Sequence, residues 1–226
     1  LLVYGVVFST SLALTLPIMT RTIGWLSIQT LAIACLLVIY TPINEITLFN
    51  GVLYHDFFTR YVKIFILLAA IACLLSSFDY LKKERVNAFE YFILLLIATL
   101  GMILIVSSND LVSMYLAIEM QSLCLYVLAA FKKNSAFSTE AGLKYFILGA
   151  FSSGLLLFGM SLLYGFTGTT NFGELAIICT GVYDSPNLLS NGIVLGTLFV
   201  GSALLFKMAA APLHMWSPDV YEGAPT

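Results

Sequence analysis

The chain has 226 residues, 60% of them hydrophobic and 10% charged, with a mean hydropathy of +0.99. A soluble domain carries about 25% charged residues, so this chain has too little polar surface to cover itself, and lipid is the solvent its composition fits. A net charge of −2 leaves no basic footprint for nucleic acid.

A bilayer core about 30 Å thick needs roughly 20 apolar residues in a helix. The first apolar run, 1–17, is short, starts without methionine and lacks a basic leader, so it reads as the tail of a spanning helix rather than a signal peptide. Further spans are predicted at 23–40, 60–79, 88–107, 110–131, 138–166 and 188–212. The reading is an all-α, polytopic transmembrane bundle of about seven spans, the first incomplete. A polar loop with Pro42, Asn44, Glu45 and His55 fills 41–59. A second, with Gly168, Gly173, Gly181 and Pro186, fills 167–187, and its middle, "FGELAIICTGV", has the character of a short interfacial helix.

Basic residues set the orientation. Arg21, then Lys82, Lys83 and Arg85, then Lys132 and Lys133 fall in alternate connections, against Arg60 and Lys63 on the other side. The positive-inside rule places the first set in the cytoplasm or the mitochondrial matrix. Cys35, Cys73, Cys124 and Cys179 are scattered through apolar runs without a C-x-x-C, which predicts neither metal ligation nor a disulfide framework.

With the charges within a turn of a span end set aside, such as Asp79, Glu90, Asp110 and Glu140, three stay within the spans: Glu119, Lys144 and Lys207. A charge at mid-membrane costs at least about 2.5–3.5 kcal/mol on insertion scales. Glu119 lies about 14 Å into its span, too deep to reach water by itself. Tyr115, Ser122 and Tyr126 fall on its helix face, where their hydroxyls can serve the carboxyl group. The bland reading of Glu119 is a protonated group tying two helices together. Lys144 lies nearer the positive side, where it can snorkel or pair with Glu140 four residues earlier. Lys207 sits late in the last span; Pro212 removes the hydrogen bond to Met208 and is expected to break the helix there. Broken membrane helices usually line a cavity. His214 follows by seven residues, on the same side of a continuous helix. Gly149 and Ser153, four apart, read as a close-packing surface only. A carboxyl group, two amines and an imidazole are the parts of a proton relay, because burial pushes acids and amines toward neutrality while a neighbouring opposite charge opposes it.

The stretches "SSNDLVSMYLAIEMQSLCLYVLAAFKK", "STEAGLKYFILGAFSSGLLLFG" and "FKMAAAPLHMWSPDVYEGAPT" resemble the antiporter-like membrane-arm subunits of respiratory complex I, in particular the subunit 2 type, called subunit N in bacteria. The stretch "YGVVFSTS" and the Phe/Ile-rich composition are most similar to mitochondrial forms of plants and protists, with an alphaproteobacterial form as the alternative. The resemblance implies a place in the mitochondrial inner membrane, or the bacterial plasma membrane, among other membrane-arm subunits and lipid. It implies inverted helix repeats, each with a broken helix. On that basis 1–87 are N-terminal transmembrane helices and 88–226 an incomplete first repeat. It implies that Glu119 pairs with Lys207 on the broken helix, that Lys144 belongs to the relay, and that His214, Asp219 and Glu222 form the signature after the break. It implies part of a proton-translocating NADH:ubiquinone reductase with no redox centre in this chain; NADH, FMN, iron–sulfur clusters and ubiquinone serve other subunits. The family continues past Thr226, so a second polypeptide or a further segment is expected to complete the fold. An Mrp-type cation/proton antiporter subunit and a purely structural membrane-arm subunit are the alternatives.

Overall fold

The computed structural model describes residues 1–9, 17–42, 46–83, 89–132, 134–182 and 188–224. Asn44, Glu45, Arg85, Lys133 and Pro186 lie outside them. The elements in order are α1 (Leu2–Ser9), α2 (Pro17–Tyr40), β1 (Ile46–Leu48), β2 (Leu53–His55), α3 (Phe57–Lys83), α4 (Glu90–Ser107), α5 (Leu111–Ala129), α6 (Ala136–Thr167), α7 (Phe172–Val182), α8 (Leu188–Lys207) and α9 (Trp216–Gly223). Among the described residues, five helices, α2 to α6, are long and apolar enough to cross a membrane. The apolar stretch of α8, Asn191–Lys207, is shorter. The predicted first span falls on α1 and on residues that the structure does not describe. The predicted interfacial helix is α7, with the same bounds as the quoted stretch.

Polar residues set the helix ends. Asp110 caps α5 by accepting from the Val112 amide at 3.1 Å. Ser135 caps α6 in the same way. At the other end of α6, Gly168 adopts φ +75° and its amide returns to the Tyr164 carbonyl at 2.8 Å, a left-handed stop that costs glycine little.

The 41–59 loop is more ordered than expected. It holds an antiparallel hairpin in which Ile46 pairs with His55 and Leu48 with Leu53. Phe49, Asn50 and Gly51 all take positive φ in its turn. The Asn50-Gly51 pair between apolar residues is a hairpin signal that a reading by polarity passes over. The hairpin closes one end of the bundle. The Asn109 amide donates to the Val52 carbonyl and its side chain to the Gly51 carbonyl, each at 2.9 Å. The Leu111 amide, in turn, donates to Thr170 at 2.9 Å. The α4–α5 connection is thereby tied to the hairpin on one side and to the α6–α7 connection on the other.

Two apolar clusters form the interior. One joins α2, α3 and α4 through Ile23, Leu67, Leu74 and Phe92. The other joins α5 to α8 through Leu111, Leu156, Leu163, Ile193 and Ala203. α4 packs against both α3 and α5. α6 lies along α8, and a Cβ at Gly159 would stand 2.8 Å from the Val200 nitrogen and 2.9 Å from the Gly196 carbonyl oxygen. This backbone-to-backbone approach is a close-packed membrane contact, and it brings the end of α8 against the middle of α6.

Candidate functional site

Glu119 lies at the centre of α5, a 19-residue helix. Ser153 lies about 26 Å along α6, also near its middle. Lys207 is the last residue of α8. The packing of α8 on α6 brings all three together. The Lys207 ammonium is 3.3 Å from Glu119 Oε1 and donates to Ser153 Oγ at 2.9 Å. Ser153 Oγ donates in turn to Glu119 Oε1. The Lys207 and Glu119 side chains are 16% and 23% exposed, so the pair is largely shielded.

α8 breaks in the turn before Pro212, where the proline was expected to break it. The helix stops at Lys207, five residues before Pro212. Ala209 takes φ +52°, its amide donates to the Phe206 carbonyl at 3.1 Å, and the Ala210 amide donates to the Leu205 carbonyl at 3.0 Å. These two bonds around a left-handed residue satisfy carbonyls that a helix end leaves open. Here the left-handed residue is alanine rather than glycine. The Phe206 carbonyl also accepts from Trp216 Nε1 at 2.9 Å. Lys207 is thus in the last turn of a helix, where the macrodipole favours a cation. With no continuous helix between them, Lys207 and His214 do not share a face. His214 is exposed between the break and α9, and its carbonyl accepts from the Ser217 amide at 3.0 Å.

The hydroxyl stripe on α5 meets the carboxylate indirectly, through a hydrogen bond between Tyr126 and Ser153. Ser122 donates to the Ile118 carbonyl of its own helix at 2.7 Å. The Tyr126 ring packs edge-on against Tyr145, and Tyr126 Oη occupies the space that a side chain at Gly149 would need. The hydroxyl that serves the carboxylate comes from α6. The sequence marks Ser153 as a packing residue, and its one signal there is a hydroxyl within the small-residue face of a neighbouring helix.

A cavity of about 240 Å³ adjoins the pair, with Gln121, Ser122, Tyr126, Tyr145, Lys207 and Trp216 among its lining residues. It is roomy enough for several waters at about 30 Å³ each and offers them polar partners. Lys144 lies apart from the central pair. Its ammonium is 2.9 Å from Glu140 and 2.8 Å from Asp219, and these three side chains are 41%, 60% and 53% exposed. Glu222 is exposed and its side chain has no hydrogen bond or ion pair among the described residues.

Fold and site together define a polytopic membrane protein organised around a broken helix, with the terminal lysine of that helix paired to an intramembrane carboxylate. The sequence pattern of the NADH:quinone oxidoreductase/Mrp antiporter transmembrane family matches residues 108–226, and the chain belongs to that family. It is 52% identical to NADH-ubiquinone oxidoreductase chain 2 of Marchantia polymorpha, covering 100% of this chain and 47% of that protein. It is 48% identical to NADH-quinone oxidoreductase subunit N of Paramagnetospirillum magneticum, covering 92% and 42%. Among solved structures it superposes on respiratory complex I from Thermus thermophilus with a TM-score of 0.71 and 30% identity, covering 91% of this chain and 43% of that one. The chain therefore spans about half the length of these relatives. It is a multi-pass protein of the mitochondrial or bacterial inner membrane.

Proposed function

We propose that the chain serves as a membrane-arm subunit of a proton-translocating NADH:ubiquinone reductase, and that Glu119, Ser153 and Lys207 are its proton-handling centre. The carrying observation is the ion pair at the end of a broken helix, beside a largely apolar cavity that carries a few polar side chains. Carboxylate and ammonium stabilise each other's charged forms in a shielded site. A shift of the α8 end that lengthens the 3.3 Å contact removes that support. Glu119 then gains a proton, or Lys207 loses one, and the cavity supplies the water through which it moves. Ser153 can follow either state, because a hydroxyl both donates and accepts. Lys144, His214, Asp219 and Glu222 lie on or beside α6 and α9, between this centre and the positive side. The redox reaction belongs to other subunits of such a complex, and residues 88–226 are read as part of one antiporter-like repeat.

The test is proton pumping per NADH oxidised in membrane vesicles carrying Glu119→Gln. Pumping should be lost, while NADH oxidation by an artificial electron acceptor persists. Normal pumping by the assembled variant would refute the assignment. Sodium–proton exchange by the reconstituted protein in the absence of NADH would instead favour a stand-alone antiporter.

A further inference from the structure

α9 has eight residues, and a helix that short does not hold itself in shape without tertiary contacts. Three contacts fix it to α6. A Cβ at Gly223 would lie 2.6 Å from both the Ala141 Cβ and the Phe137 carbonyl oxygen, so the backbones meet closely. The Trp216 ring stacks on Tyr145 at 5.0 Å and 11°. The Asp219 carboxylate takes the Lys144 ammonium at 2.8 Å. Asp219 follows Trp216 by three residues and so shares its face of the helix. Through Nε1, Trp216 holds the carbonyl of Phe206, the residue immediately before Lys207.

We infer that Lys144 is a positioning residue. Its ammonium, shared between Glu140 and Asp219, clamps α9 onto α6; α9 presents Trp216 to the end of α8; and Trp216 keeps Lys207 within reach of Glu119. The clamp requires a fixed positive charge and no exchange of its proton. Lys144 lies nine residues before Ser153, about 14 Å away along α6. Both of its carboxylate partners belong to α6 and α9 and neither to the central pair. The role depends on the proton-translocating reading for its activity readout, but its structural consequence can be measured independently.

The experiment compares Lys144→Arg, Lys144→Gln and Asp219→Asn, with the Lys144→Gln/Asp219→Asn double variant, in the assembled complex. Proton pumping per NADH is measured beside hydrogen–deuterium exchange of residues 216–224. Arginine keeps the charge and both hydrogen bonds but does not release its proton, so Lys144→Arg should pump within about twofold of the native complex with α9 protected. Lys144→Gln and Asp219→Asn should each lower pumping several-fold and speed exchange in α9. The double variant should be no worse than either single. A Lys144→Arg complex that pumps no better than Lys144→Gln, or that does not assemble, overturns the clamp. So does unchanged α9 exchange in Lys144→Gln or Asp219→Asn. If Glu119→Gln pumps normally while the exchange pattern appears, the functional reading fails and the clamp stands; the reverse result removes the clamp alone.

Discussion

Serine and threonine are buried in both bundles but are used differently in each. In α2–α4, Ser27 donates to the Gly24 carbonyl at 2.7 Å, Ser77 to Leu74 at 2.7 Å and Thr99 to Leu96 at 2.8 Å. Each bond returns to the turn that precedes it on the same helix, though Ser77 also meets the uncharged Tyr91 side chain on α4. In α5–α8, Ser138 reaches back to the Ala129 carbonyl at 2.9 Å, Ser152 crosses to Ala203 at 3.1 Å, and Ser153 joins Glu119 and Lys207. A hydroxyl bonded within its own helix makes a neutral filler for an apolar interface. One that crosses to another element couples two helices, and among the described residues only the second bundle does this around charges. The Glu119–Lys207 ion pair accordingly falls in the second bundle, while the largest buried apolar side chains of the first are those of Ile23, Leu67, Leu74 and Phe92.

The largest effect should follow from breaking the central pair. Removing one partner of a buried ion pair costs about 3–5 kcal/mol unless the remaining group changes its protonation. Glu119→Ala should therefore abolish pumping and reduce the assembled complex. Glu119→Gln combined with Lys207→Met leaves no orphan charge and should assemble better than Glu119→Ala, although it still fails to pump. Blue-native gels of both variants, run beside pumping assays, check this. If the double variant assembles worse, the charges are contributing to stability rather than to proton transfer.

Ser153→Ala should rank next. It removes a hydroxyl bonded to two charged groups, worth about 1.5–3 kcal/mol for each charge-assisted bond at most. Pumping per assembled complex should fall about tenfold or more, with assembly little changed. Ser122→Ala, whose hydroxyl donates to backbone carbonyls of α5 and meets Tyr126 but bonds neither Glu119 nor Lys207 through their side chains, is the matched control and should pump nearly normally. Equal losses in the two variants would deny Ser153 its special place.

This contrast between Ser153 and Ser122 also shows how much of the site was legible in the sequence. Glu119 and Lys207 stand out because charge inside an apolar run is costly and periodicity fixes its depth. Which hydroxyl serves the carboxylate is a tertiary fact. Helical spacing correctly put Ser122 on the face of Glu119, but its hydroxyl is taken by the Ile118 carbonyl, and nothing local to α6 aims Ser153 at α5. The helix break was foreseen from Pro212; the left-handed turn at Ala209 that shapes it was not. A left-handed alanine carries no sequence mark, whereas the left-handed Gly168 at the end of α6 does. The spans corresponding to α2–α6 were readable because hydropathy reports them directly. The 46–55 hairpin was missed because its strands are only three residues each, too short for alternation to register. The partnership of Lys144 with Asp219 joins residues 75 apart, which spacing along a single helix does not reach.

A smaller effect should come from the backbone approach of α6 and α8. At Gly159 an added Cβ meets backbone atoms that cannot rotate aside. Gly159→Ala should therefore force the helices apart at about 1–3 kcal/mol. At Gly24, in the first bundle, the nearest obstacle is the Phe78 ring, and a side chain can move. Thermal dissociation of the solubilised complex should thus be earlier for Gly159→Ala than for Gly24→Ala, and only the former should also lower pumping, because it displaces Lys207.

The smallest expected difference tests the comparison most directly. Ser27 and Ser152 are both fully buried, both lie inside long helices, and each spends its hydroxyl on one carbonyl. Changing either to alanine removes the same atom and gives the same gain in helix propensity. The carbonyls left behind, Gly24 and Ala203, lie within helices and can keep their backbone partners. What differs is only that the Ser152 bond joins α6 to α8. Interhelical hydrogen bonds in membranes average about 0.6 kcal/mol and reach about 1.7 at most. Ser27→Ala should then be neutral or slightly stabilising, and Ser152→Ala should fall below it by about that amount. Unfolding of the two variants in mixed detergent, measured under one set of conditions, gives the difference without needing either absolute value. Equal stabilities would mean that crossing between helices contributes no free energy here. The second bundle would then owe its coupling to the close glycine packing and to the ion pair alone.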